Sequence, residues 1–87
     1  MSHEPDQTLD ASGLQCPMPL LRTKLSLNAM APGQRLRVIA TDPGSARDIP
    51  AFLRLSDHEL ERQEDEDERY VFVIRCGGAG QPGKVNS

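Results

Sequence analysis

The run R-Y-V-F-V-I-R-C, Arg69 to Cys76, constrains the fold more than any other segment. Five successive residues, Tyr70 to Ile74, are β-branched or aromatic, which is strand chemistry. The run also holds two of the chain's three aromatic residues; Phe52 is the third, and there is no Trp. With so few large side chains, 87 residues make one small domain with a thin core and no large buried substrate cavity.

The remaining segments read outward from that strand. T-L-D-A, residues 8–11, alternates and is a short first strand, followed by a turn at Ser12-Gly13. A helical pattern runs from Pro17 to about Ala31 and stops at Pro32-Gly33. Leu36 to Thr41 is β-branched and extended, and Asp42 to Gly44 reads as a turn. Ala46, Ile49, Phe52 and Leu53 recur at helical spacing, with Pro50 implying a late start or a kink. Glu59 to Gln63 is a weak strand. The order is β-α-β-α-β-β. The expected fold class is α/β (α+β): a two-layer sandwich, a four-stranded mixed sheet with two helices on one face. The domain spans residues 8–78, with 1–7 and 79–87 as flexible tails, and there is no internal repeat.

Charge and cysteine usage exclude several classes. Net charge is −3, and the basic residues have no aromatic interleaving, so direct nucleic-acid binding is not expected. No apolar run reaches the roughly 20 residues of a membrane span. The polar, acidic start M-S-H-E-P-D-Q is no signal peptide, which favours the cytoplasm and no membrane partner. The unbroken acidic run Glu64–Glu68 reads as a solvated turn. Cys16 and Cys76 are too few for a disulfide scaffold and form no C-x-x-C. Together with His3 and His58 they lack metal-ligand spacing, so no metal is expected.

Between Asp10 and Asp42 there is no acidic residue, but there are Arg22, Lys24, Arg35 and Arg37. Cys16 stands at the start of that basic half, in L-Q-C-P-M-P-L-L-R-T-K. Proline is favoured at the first helical position, which places Pro17 at N1, Cys16 at the N-cap and Pro19 within the first turn. A thiol there feels the positive end of the helix, and Arg22 and Lys24 add potential of the same sign. Both lower its pKa and favour an exposed nucleophile. The competing reading is a small buried hydrophobe. A hydrolase would need a base, and His58 is the only histidine outside the tail. His58 fits a surface or fold-stabilising role better. A reactive thiol without base, cavity or cofactor suggests a carrier.

The first helix has two apolar stripes. Leu20, Thr23, Leu27 and Met30 share one; Met18, Leu21, Leu25 and Ala29 share nearly the opposite one. A helix on a sheet buries one stripe. Leu20, Leu27 and Met30 are assigned to the core. Met18, Leu21 and Leu25, with Lys24, are left to meet a partner.

L-D-A-S-G-L-Q-C-P-M-P-L, P-G-Q-R-L-R-V, D-P-G-S-A-R-D-I-P-A-F, H-E-L and V-I-R-C-G-G, from about Leu9 to Gly78, closely resemble the TusA/SirA family of small sulfur-carrier proteins. The matching positions are Gly13, Leu14, Cys16, Pro17 and Pro19, then Asp42, Pro43, Arg47, Asp48, Ile49, Pro50 and Phe52. The resemblance implies the same sandwich. It implies that Cys16 accepts sulfane sulfur as a persulfide from a cysteine desulfurase or a rhodanese-like donor, then passes it to an acceptor protein. No cofactor is implied beyond that covalent sulfur. Family destinations include tRNA 2-thiouridine synthesis, dissimilatory sulfur oxidation, and molybdenum-cofactor or selenium metabolism. Gly13, Leu14, Pro17 and Pro19 shape the motif. Partner contact falls to Met18, Leu21, Arg22, Lys24, Leu25, Asp42 and Arg47, in a chain expected to be a monomer.

Two positions depart from the pattern. Met18 stands where an acidic residue is common in tRNA-thiolation members, and Cys76 before Gly-Gly is not a general family feature. Cys76 reads as an unreactive strand-end residue, with a resolving thiol as the alternative. Three rival functions remain: a ubiquitin-like carrier using Gly77-Gly78, a redox enzyme pairing Cys16 with Cys76, and a non-catalytic regulatory or protein-interaction module of the same fold.

Overall fold

A computed structural model of the chain describes residues 4–77. The expected order holds: β1 (Gln7–Ala11), α1 (Met18–Asn28), β2 (Arg35–Ala40), α2 (Pro43–Arg54), β3 (Glu59–Glu66) and β4 (Arg69–Arg75). The sheet runs β1-β2-β4-β3, with β1 parallel to β2 and the other two pairs antiparallel. Gly78 and most of the expected tails lie outside the described residues. β1 begins at Gln7, one residue before the expected strand, and Asp6 is tied to Arg35 through both its backbone and its carboxylate.

The sheet alternates, so residues two apart share a face. Leu36 and Val38 pair across the β2–β4 ladder with Ile74 and Phe72, and all four are fully buried. Ile49 and Leu53 of α2, and Leu27 of α1 with Met30 just beyond it, close over them. Each such side chain contributes roughly 1.5–3 kcal/mol relative to exposure. No helix among the described residues is long and apolar enough to cross a membrane.

Two segments differ from the sequence reading. Asp42-Pro43-Gly44 is not a free turn but the start of α2. Asp42 is its N-cap, accepting from the Ser45 amide at 3.0 Å, and Pro43 follows where a missing N–H costs nothing. Pro50 neither delays nor ends the helix. The buried row Ser45, Ile49 and Leu53, spaced four apart, holds it to the sheet on both sides of that proline. The acidic run is likewise only partly a turn. Glu64 to Glu66 belong to β3, and Asp67-Glu68, both with positive φ, form the hairpin link to β4. β3 needs no apolar alternation because β4 supplies its ladder. An irregularity between Leu60 and Arg62 interrupts the register at Glu61, whose carboxylate meets both Arg35 and Arg75.

Candidate functional site

Because β1 and β2 are parallel neighbours, their carboxyl ends lie side by side, and the loops leaving them meet. In open α/β sheets this is where ligand chemistry collects. After Ala11, Gly13 takes a positive φ of 81° and donates its amide to the Thr41 hydroxyl at 2.9 Å. The Leu14 amide closes the turn onto the Ala11 carbonyl, and Leu14 itself is half-buried. The chain then presents Cys16, which is exposed.

The Cys16 backbone donates to Asp42 Oδ2 at 3.3 Å, and that same oxygen accepts from the Ser45 amide and hydroxyl. The Cys16 thiol donates to Asp48 Oδ2 at 3.1 Å. A Cβ placed on Gly44 would lie 3.1 Å from Asp42 Oδ2 and 3.9 Å from the sulfur. The Cys16 sulfur therefore packs against the first turns of α2 as well as preceding α1.

The expected N-cap position is one residue off. The first intrahelical bond runs from the Leu21 amide to the Pro17 carbonyl, so Pro17 is the N-cap and Cys16 precedes it. The expected pKa direction is also reversed. Asp48 accepts the thiol hydrogen, and with some desolvation and the nearby Asp48 and Asp42 charges it raises the Cys16 pKa, against the opposing charge of Arg47. The α1 terminus offers little to counter this, since Pro17 and Pro19 have no N–H and the Met18 amide is bonded to the Gln15 carbonyl.

The basic flank is dispersed. Lys24 lies over the Phe52 ring, 5.1 Å from its centroid, bracing α1 against α2. Arg22 and Arg47 are exposed. Arg35 stands at the opposite end of β2, paired with Glu61. Of the apolar residues, Pro19, Thr23 and Leu27 are buried and Leu20 packs at the core edge. Met18, Leu21 and Leu25 are 37, 46 and 62% exposed, forming the expected open strip.

Sequence reasoning missed three features of this neighbourhood: the Asp48 contact, the space left by Gly44, and Leu55, which is 92% exposed at the end of α2. Leu55 was legible, because it falls outside the 45/49/53 buried spacing. Asp48 was visible as a matching position but sits 32 residues from Cys16.

The other candidates have structural roles. His58 Nδ1 accepts from the Gly77 amide at 2.9 Å, and its backbone amide donates to Ser56. Cys76 is buried, its sulfur near the Leu27 and Met30 carbonyls at the far end of α1, and burial raises its pKa. Eleven helical residues at about 1.5 Å rise separate it from Cys16 by roughly 15 Å, well beyond disulfide reach. The redox pairing is therefore excluded. No metal-binding cluster of His, Cys, Asp or Glu occurs among the described residues.

Comparison with known proteins agrees with this geometry. The family model described as "Sulfurtransferase TusA" matches residues 7–76. A "Sulfur carrier protein TusA" from Allochromatium vinosum is 53% identical over 70 residues, covering 80% of this chain and 92% of that protein. The crystal structure of a SirA-like protein from Desulfitobacterium hafniense superimposes with a TM-score of 0.69 over 82% of this chain and 97% of that one, at 24% identity, and shares the fold. With nearly the whole described chain matched, Cys16 and its flanking prolines included, the protein belongs to the TusA family of sulfur carriers.

Proposed function

We propose that this chain carries sulfane sulfur as a persulfide on Cys16, receiving it from a cysteine desulfurase or a rhodanese-like protein and delivering it to an acceptor protein. The observation that carries this reading is the contrast between its two thiols: Cys16 is exposed where two loops converge, and Cys76 is buried. Transfer between persulfides requires two sulfurs to touch, so the acceptor atom must lie at the surface of a small body. Pro17 and Pro19 stiffen the segment that holds it. Met18, Leu21 and Leu25 continue from the thiol along α1 and supply an apolar docking strip for donor and acceptor in turn. Asp42 and Arg47, at the start of α2, stand near the Cys16 sulfur. A reducing cytoplasm, where thiols remain free, suits this chemistry.

The end use is 2-thiouridine synthesis in tRNA or sulfur oxidation, and the preferred donor separates these. Intact mass is measured for wild type and Cys16→Ser after incubation with a cysteine desulfurase and cysteine, and separately with a rhodanese and thiosulfate. Wild type gains one reductant-labile sulfur and the variant gains none. A variant that loads as well as wild type refutes the proposal.

A further inference from the structure

The Cys16 thiol donates to a carboxylate, not to a base of ordinary catalytic design. Asp48 Oδ2 lies 3.1 Å from the sulfur. A second carboxylate, Asp42, is fixed beside it by the Ser45 amide, the Ser45 hydroxyl and the Cys16 amide. Among the described residues, Arg47 is the neighbouring charge of opposite sign that acts on the sulfur. A carboxylate accepts hydrogen bonds and cannot donate them. The contact therefore exists only while the Cys16 sulfur bears a hydrogen. In a persulfide that sulfur is bonded to Cβ and to the outer sulfur and bears none. Loading converts donor–acceptor contact into acceptor facing acceptor, and the outer sulfur is anionic near two carboxylates.

We propose that Asp48 separates the empty from the loaded carrier: it holds empty Cys16 as a hydrogen-bonded thiol and repels the loaded sulfur, presenting it outward for transfer. This rests on the persulfide reading above. In the loading step the Cys16 thiol loses its proton to solvent. The thiolate attacks the outer sulfur of the donor persulfide. The new S–S bond forms as the donor's breaks, and the electron pair leaves on the donor sulfur, which takes a proton from solvent. Cys–SH and R–S–S⁻ become Cys–S–S⁻ and R–SH, with no net oxidation. Asp48 opposes that deprotonation, so it is a positioning residue that sets the balance between empty and loaded carrier.

The test uses wild type, Asp48→Asn and Asp48→Glu, each verified as folded by circular dichroism. Cys16 alkylation by iodoacetamide is followed against pH by intact mass, with buried Cys76 as internal reference. Removing the charge moves the inflection to lower pH, giving several-fold more thiolate near neutrality. Glu restores the higher value. Each protein is then equilibrated with a fixed ratio of glutathione persulfide to glutathione. Asp48→Asn shifts the loaded-to-empty ratio toward loaded by about tenfold, and Glu returns it toward wild type. An unshifted inflection with normal loading overturns the role of Asp48 alone, as does an unchanged loaded fraction in Asp48→Asn. If no protein takes up sulfur while the inflection still moves, the persulfide reading fails, and Asp48 retains only its hold on the thiol.

Discussion

Gly77 leaves no room for a side chain, because a Cβ there would overlap the Asp57 carbonyl. Its amide also donates to His58 Nδ1. The glycine after Cys76 is thus a packing requirement that fastens the segment beyond β4 to the loop after α2. Gly77→Ala costs about 2 kcal/mol or more, read as a lower urea midpoint with unchanged slope. His58 adds a pH dependence to the same junction. Burial lowers its pKa from 6.5, and a protonated Nδ1 could not accept the Gly77 hydrogen. The unfolded chain takes up a proton before the folded one does. The stabilisation is fully present above pH 6.5 and falls as pH drops from there toward the lower folded value. Urea midpoints of wild type therefore fall between about pH 7 and pH 5, and those of His58→Ala change less across that window.

At the scale of elements, α1 divides its work between two faces. Thr23 and Leu27 are buried, whereas Leu21 and Leu25 lie open on the other face. Leu25→Lys should leave stability within about 0.5 kcal/mol of wild type and slow sulfur delivery from a protein donor, measured as the loading rate at limiting donor. An unchanged rate removes the docking role of the strip. This face of the molecule was legible in the sequence because it depends on one helix and its period. The β4 core was legible for the same reason, as a continuous apolar run. What was not legible depends on segments meeting. Asp42-Pro43 is equally good turn and helix-cap chemistry, and only the buried row Ser45, Ile49 and Leu53 selects the cap. β3 carries almost no apolar signal and exists because β4 pairs with it. The Cys16 environment looked basic along the chain, yet the parallel β1–β2 pair brings two aspartates to it from another loop and helix. Local charge predicted the wrong direction for its pKa because through-space neighbours outweigh sequence neighbours.

At the scale of the whole molecule, the fold keeps two sulfurs in opposite states. Cys16 sits at the carboxyl end of the parallel pair, and Cys76 lies under the far end of α1. A thiol-disulfide reagent such as DTNB should consume one thiol in the native protein and the second only in denaturant. Rapid titration of both thiols in the native state would contradict the buried placement of Cys76. The acidic residues of β3 suit a small separate body, because charge along an edge strand opposes sheet extension between molecules. One exposed thiol on a small body, with the other thiol buried, suits a sulfur carrier. The most direct test of that account is to locate the added sulfur. Wild type is loaded by a cysteine desulfurase and cysteine, trapped with iodoacetamide, digested without reductant and mapped by mass spectrometry. The account predicts one extra sulfur on the peptide carrying Cys16 and none on the peptide carrying Cys76. Sulfur on Cys76, or on neither cysteine, would contradict it.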